Sequence, residues 1–290
     1  MNPALPAPPA GYSLTEEDGR IRVVRTEDDE ALGPFMRRSF GELCDLPDAR
    51  RIASGRAGPV HLPVPGFTNR ILVRPFAHGG TVAPLRAGGF PNPSRGLAEL
   101  AVNAKAAGLG LPVVPLVGLT AARRPDGRWD MEAWSWWMTD SLTLSHCLPS
   151  LAASAPARQA LLTAVGTAIR QCHDAGLVHA DLNARNILVS RAPDSWRVGL
   201  IDLDRARFQA RLDLGARLAQ IRRLYRSLAK EGVIPDCLPA EDLPGFVREC
   251  AGFQLPDAGV AAFLARCRRA VFWHSLLWRL AGRSPKPPPA

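Results

Sequence analysis

The chain reads as an α+β protein in two parts, a smaller β-rich half followed by a larger helical half, with the change near Asp140. Three observations predict this. Short strand-like runs, broken by Gly, Pro and Asp-Gly turns, fill residues 19–140. One amphipathic helical period interrupts them between Ser94 and Gly108. Beyond Asp140, apolar residues recur at helical spacing in three long segments. The 290 residues suffice for a real core in one large domain or two small ones.

In order along the chain, residues 1–18 form a proline-rich lead expected to be disordered. "RIRVVR" alternates polar and apolar residues, as a half-buried strand does. "SGRAGPVHLPV" is a glycine turn leading into a second strand, and "RILVRPF" (Arg70 to Phe76) is a third, stopped by Pro75 and the following "HGG". In "SRGLAELAVNAKAAG", Ser94 suits an N-cap, Leu97, Leu100, Ala101 and Ala104 share a face, and Gly108 ends the helix. "LPVVPLVGLTAAR", the turn "PDGR" and "WDMEAWSWWMTD" read as a hairpin, so residues 19–140 are expected to be a small sheet with one inserted helix. The second half, 141–283, carries helices from Ala157 to Ala175, from Asp213 to Lys230 and from Val260 to about Ala281. Between the first two lie a polar loop and the strands "ILVS" and "RVGLIDLD". The tail 284–290 is again proline-rich and expected to be disordered.

Composition narrows the class. Hydrophobic residues make up 47% and charged residues 22%, which is ordinary for a globular protein. No apolar run is long enough for a membrane span, and "MNPALPAPPAGYS" lacks the basic and apolar regions of a signal peptide. Six dispersed cysteines show no zinc spacing, which suggests reduced thiols in a cytosolic protein. The net charge of +9 favours anionic partners, but no nucleic-acid recognition motif accompanies it. Only Lys105, Lys230 and Lys286 are lysines; the other 33 of the 36 basic residues are arginine.

The densest chemistry lies in "HADLNARNIL", His179 to Leu188, followed by "LIDLD". Asp181 stands five positions before Asn186, and Asp202 follows after two short strands and a turn. One such Asp alone is more often a turn or cap residue. The set together supplies what phosphoryl transfer from ATP needs: a carboxylate to orient a hydroxyl and take its proton, and a carboxamide and second carboxylate to hold Mg²⁺. A tight loop presents Asp181 with Asn186, and the hairpin brings Asp202 alongside.

This layout resembles the catalytic loop of protein-kinase-like enzymes, with "LIDLD" in place of the metal-binding Asp-Phe-Gly. In detail it is similar to the bacterial lipopolysaccharide kinases of the 3-deoxy-D-manno-octulosonic acid (Kdo) kinase type. Their signature is Asp-Leu-Asn-Ala-x-Asn-Ile-Leu and then Ile-Asp-Phe-Asp-Arg. "RLAQIRRLYRSLAK" is also similar to their helix after the metal-binding Asp. The resemblance is strong from about Ala175 to Lys230 and weaker but collinear from about Gly55 to Leu119. It implies a bilobal protein-kinase-like fold and an ATP- and Mg²⁺-dependent kinase. The acceptor it implies is a sugar hydroxyl, most specifically Kdo on lipid A, at the cytoplasmic face of the inner membrane.

Carried onto this sequence, the resemblance implies Asp181 as catalytic base and Asn186 and Asp202 as Mg²⁺ ligands. His179 would brace the loop or simply pack. Asp204 stands where the family also has Asp, with a second metal or a structural role open. Arg205 or Arg207 would meet an acceptor anion or pair with a loop acid. On the nucleotide side, Gly55 and Gly58 would let backbone N–H groups approach phosphate, although Pro59 removes one donor. Arg74 stands where the ATP-binding lysine is usual, since no lysine precedes Lys105. Glu99 would be its partner, or else a solvated helix glutamate. "RPFAHGG" departs from the family's more basic version at Ala77 and His78. The tryptophans of "EAWSWWMTD" would border adenine or pack a core. Arginine and aromatic residues mixed over Arg217 to Arg226 and Arg266 to Arg279, with Phe272, Trp273 and Trp278, suit an anionic membrane surface or a helix core. The chain shows no long segment with an Ala-Pro-Glu-like end after Asp202, which argues against a typical protein kinase. Rival readings are a kinase of core heptose, another small molecule or protein Ser/Thr, and a membrane-associated pseudokinase scaffold motivated by Arg74.

Overall fold

A computed structural model describes residues 6–52, 58–77, 89–252 and 255–280, with side chains as far as residue 273. Gly55, His78 and the tail 284–290 lie outside the described residues, as does the side chain of Trp278. The chain divides into two compact units, residues 1–109 with 114–139, and residues 110–113 with 140–290.

The first unit is a seven-stranded antiparallel sheet with strand order β1-β2-β6-β7-β5-β4-β3. The strands are β1 (Tyr12–Glu17), β2 (Arg20–Arg25), β3 (Arg50–Arg51), β4 (Val60–Pro63), β5 (Arg70–Pro75), β6 (Leu116–Arg123) and β7 (Trp129–Trp136). The expected hairpin is β6–β7, and "RILVRPF" is β5, paired to β7 with Arg74 opposite Ala133. The lead was expected to be disordered through residue 18, but Tyr12–Glu17 forms β1 along β2. The reason is burial: Tyr12 and Leu14 pack on the core, and the Tyr12 hydroxyl donates to the Leu116 carbonyl.

Both sheet faces are covered. α3 (Ser94–Gly108) lies on one, where Leu97 and Leu100 join Ile21, Val23, Leu119, Met131 and Ala133. α1 (Asp29–Met36) and α2 (Phe40–Cys44) lie on the other, where Leu32, Met36 and Leu43 meet Val24, Val60, Ile71, Val73 and Trp134. Among the described residues the first half therefore holds α1 and α2 besides the one inserted helix expected, α3. Gly33 and Pro34 disguised α1, since both are usual breakers. α2 did carry a visible signal, the capping box Ser39-x-x-Glu42, which the structure forms in both directions. The sheet also needs Gly118: a Cβ there would stand 2.7 Å from the Val23 carbonyl and 2.8 Å from the Met36 methyl.

The second unit is mainly helical. Its helices are α4 (Leu144–Ser150), α5 (Ala155–Asp174), α6 (Leu214–Lys230), α7 (Leu243–Ala251) and α8 (Asp257–Leu280). Short strands accompany them: β8 (Ser141–Thr143), β9 (Leu177–Val178), β10 (Ile187–Arg191), β11 (Trp196–Leu200) and β12 (Arg207–Phe208). Asp213 caps α6, accepting from the Ala216 N–H. The α5–α7 seam is polar as well as apolar. Arg158 donates to Asp242 at 2.6 Å and Thr167 to Glu249 at 2.7 Å, while the His173 ring meets the Cys250 carbonyl at 3.1 Å. No described helix is long and apolar enough to cross a membrane.

The Arg158–Asp242 pair is buried, with side chains 7% and 4% exposed. Removing one partner of such a pair costs far more than the pair is worth, because the other charge stays desolvated. Arg158→Leu should lower the unfolding free energy by about 3–5 kcal/mol. Urea denaturation checks this; a loss under about 1 kcal/mol would show that Asp242 is satisfied by other groups.

Candidate active site

The polar loop 179–186 runs from β9 to β10, and a second loop, 201–206, runs from β11 to β12. β10 pairs with β11 and β9 pairs with β12, both antiparallel. Each loop is thereby tied to the other at both ends. The register places Ile187 opposite Leu200, and the Ile201 N–H donates to the Asn186 carbonyl at 3.0 Å. Asp202 thus follows directly on the residue bonded to Asn186. At the other end, the Gln209 N–H donates to the Gly176 carbonyl at 2.8 Å. Gly176 has φ +81°, and a Cβ there would stand 2.0 Å from the Gln209 carbonyl oxygen, so only glycine fits this approach.

His179 crosses between the loops. Its Nδ1 lies 3.2 Å from the Asp181 backbone N–H, and its Nε2 lies 3.1 Å from the Ile201 carbonyl. An N–H only donates and a carbonyl only accepts, so Nδ1 is bare and Nε2 carries the proton. The ring is therefore a neutral imidazole with one defined tautomer. Burial depresses its pKa below the ordinary value, outweighing the Ile201 carbonyl and the carboxylates nearby.

Within the first loop, Asn183 accepts from the Arg185 and Asn186 N–H groups and donates to Asp181 Oδ2 at 3.0 Å. The Asn186 Nδ2 donates to the Asp181 backbone carbonyl at 3.0 Å. That acceptor selects the amide's NH₂ end, so this contact does not use the amide oxygen. Asp202 has φ +62°, a left-handed conformation costly for a residue with a Cβ, held because the flanking strands define both ends of its loop. Arg205 shares this conformation, is mostly exposed, and stands 3.9 Å from Asp204.

α6 supports the loop along one face. Gln220 accepts from the His179 N–H at 2.8 Å, Arg223 approaches Asp181 Oδ1 at 3.3 Å, and Ser227 accepts from the Ala184 N–H at 3.0 Å. Glu231, just past the helix, pairs with Arg185 at 2.6 Å. The spacing of three, four and four residues is that of one helical stripe. Sequence reading missed Asn183, Gln220, Arg223 and Ser227, although the stripe was present in "QIRRLYRSLAKE". For the segment from Arg217 to Arg226 the two expectations were an anionic membrane surface or a helix core. Arg217 is buried, donating to Asp174 at 2.6 Å and to the Ala251 carbonyl at 3.0 Å, so it ties α6 to α5 and α7.

A second constellation lies in the first unit. Arg74 on β5 donates to Glu99 on α3 at 2.6 Å, with Glu99 2% exposed and Arg74 30%. The Arg74 guanidinium also lies 5.1 Å from the centre of the Phe76 ring. Glu99 is thus a buried partner and not a solvated helix residue. Gly58 lies just before β4, next to Pro59, whose carbonyl accepts from the Ile52 N–H at 2.8 Å. The tryptophans pack: Trp134 is fully buried with its indole N–H on Thr120, Trp136 stacks on Phe67 and Trp137 on His61.

A Mg²⁺ ion suits the second unit's donor set. The carboxamide oxygen of Asn186 and the Asp202 carboxylate are hard oxygen donors. Among the described residues no cluster of three His, Cys, Asp or Glu stands ready for a metal. Few protein ligands, completed by phosphate oxygens, is the usual arrangement for Mg²⁺.

Comparison with known proteins bears on this geometry. Residues 107–247, which include Asp181, Asn186 and Asp202, match the lipopolysaccharide kinase (Kdo/WaaP) family. The 3-deoxy-D-manno-octulosonic acid kinase of Pasteurella multocida (strain Pm70) is 42% identical over 69 residues, 23% of this chain and 27% of that protein. The match thus spans about a quarter of that relative's length. A solved structure described as WaaP in complex with acyl carrier protein is similar with a TM-score of 0.55. It covers 83% of this chain and 96% of its own at 19% identity, a likeness of fold.

The buried histidines set a pH dependence. Burial lowers His173 to about 4, and His179 is also lowered from the ordinary 6.5. Below 6.5 the unfolded chain therefore binds more protons than the folded one. The contribution is complete above pH 6.5 and is lost as the pH falls towards 4; for His173 alone it is about 3 kcal/mol. Urea unfolding at pH 7.5 and 5.0 should give a lower stability at 5.0. Equal values would exclude the neutral buried rings.

Proposed function

We propose, for a chain whose residues 107–247 match the lipopolysaccharide kinase (Kdo/WaaP) family, that it transfers the γ-phosphoryl group of ATP to a sugar hydroxyl of the lipopolysaccharide inner core. Kdo linked to lipid A is the acceptor in this reading. The observation that carries it is the lock between the two loops: Asn186 is bonded through its side chain to Asp181 and through its backbone to Ile201, one residue before Asp202. The geometry serves a base and a metal site of fixed spacing. The fold in this reading is protein-kinase-like and bilobal, with residues 19–140 and 141–283 as its lobes.

Each residue then has a task. Asp181 accepts the proton of the acceptor hydroxyl and aims its oxygen at the phosphorus, with Asn183 holding the carboxylate's other oxygen. Asn186 Oδ1 and the Asp202 carboxylate would hold Mg²⁺, which when bound would neutralise phosphate charge. His179 stays neutral and fixes the spacing of the loops. Arg74, kept in place by Glu99, meets the nucleotide phosphates; its planar fork offers a different geometry from a lysine's single ammonium. Gly55 and Gly58 cover the phosphates with backbone N–H groups. The exposed pair Phe272 and Trp273, with Arg268 and Arg269 beside it on α8, supports attachment to an anionic membrane surface.

Incubation with labelled ATP, Mg²⁺ and Kdo-lipid A should yield a phosphorylated lipid by mass analysis. Bound but intact ATP with no transfer would favour a scaffold instead. Asp181→Asn should lower turnover by about 10²–10⁴-fold while nucleotide still binds; unchanged turnover would remove Asp181 as the base. Asp202→Ala should abolish Mg²⁺-dependent transfer, and full activity in that variant would move the metal site elsewhere.

A further inference from the structure

Arg223 is placed oddly for a purely structural residue. It approaches the carboxylate oxygen of Asp181 that Asn183 leaves open, at 3.3 Å, and is the one cation on the α6 stripe that serves the loop. Its neighbours on the stripe, Gln220 and Ser227, bond the loop's backbone. Arg223 instead points at the reacting group. The pair is exposed on both sides, 54% and 56%, so it adds little to stability. A guanidinium has five donors in a planar fork and one engages Asp181, which leaves a face suited to a second anion beside the same carboxylate. Arg217, on the same helix, shows the contrast: buried, multiply bonded and closed to any ligand.

We infer that Arg223 is a specificity-determining residue that anchors an anionic group of the acceptor, a carboxylate or a phosphate, next to the hydroxyl presented to Asp181. This rests on the kinase reading above and assigns its acceptor-charge preference to one side chain. Without such an anchor the negative charges of acceptor and Asp181 repel; with Arg223 between them each faces a shared cation. Arg226, three residues on and also exposed, is not bonded to the loop and serves as the comparison.

The experiment measures kcat and KM for phosphate transfer to three acceptors: Kdo-lipid A, its form with the sugar carboxylate converted to the primary amide, and its form lacking the lipid phosphates. The wild-type chain should prefer the native acceptor over one of the altered forms by about 10²-fold in kcat/KM, the usual scale for a charge-assisted contact. The form that suffers identifies the anion. Arg223→Gln should bring that ratio close to one, mainly through a higher KM for the native acceptor. Arg223→Lys should restore part of it, because charge survives and the fork does not. Arg226→Gln should keep the wild-type ratio. A ratio unchanged by Arg223→Gln, or lost equally in Arg226→Gln, would overturn the assignment and leave the kinase reading intact. Equal wild-type use of all three acceptors would do the same. Transfer to none of them would overturn both.

Discussion

The neutral imidazole of His179 is the constraint on which the second unit's site depends. It takes a hydrogen bond from the Asp181 backbone and gives one to the Ile201 carbonyl. Those contacts join the loop that carries Asp181 and Asn186 to the loop that carries Asp202, beside the direct bond from the Ile201 N–H to the Asn186 carbonyl. Protonation at Nδ1 would set one donor against another, so the bridge needs the low pKa that burial provides. The spacing of Asp181, Asn186 and Asp202 is thus controlled by a side chain from outside that set.

Around that bridge the chain repeats one device, tying irregular backbone to regular elements. The two strand pairs clamp both loops at both ends. α6 then lays a polar stripe along the first loop, satisfying backbone N–H groups that no sheet or helix ladder reaches. Arg217 and Asp174 fasten α6 in turn to α5. The left-handed backbone of Asp202 is tolerated because its neighbours leave it little choice.

The first unit solves a different problem. A buried carboxylate, Glu99, has to be compensated, and Arg74 on β5 does this across the gap between sheet and helix. The guanidinium meets that carboxylate at 2.6 Å with a planar fork of donors. Asp28 and Glu132 are buried in this unit as well: Asp28 accepts from Arg25 at 2.7 Å, and Glu132, whose pKa burial raises, accepts from the Thr120 hydroxyl.

Much was legible in the amino-acid order. Periodicity marked β2, β5, the β6–β7 hairpin, α3, α5 and α6, because each is long or strongly patterned. Asp181, Asn186 and Asp202 stood out because their chemistry is rare at that spacing, and Arg74 with Glu99 because an absent lysine left one candidate strand. α1, α2, α4 and α7 were missed: they are short, and three of them include proline. β1 was missed because a proline-rich lead masked its strand. What only the tertiary structure decided is which polar residues face the loop. Helical periodicity defines a face but not its neighbour, so Arg217 and Arg223 looked alike in sequence. Packing buried one against Asp174 and set the other beside Asp181.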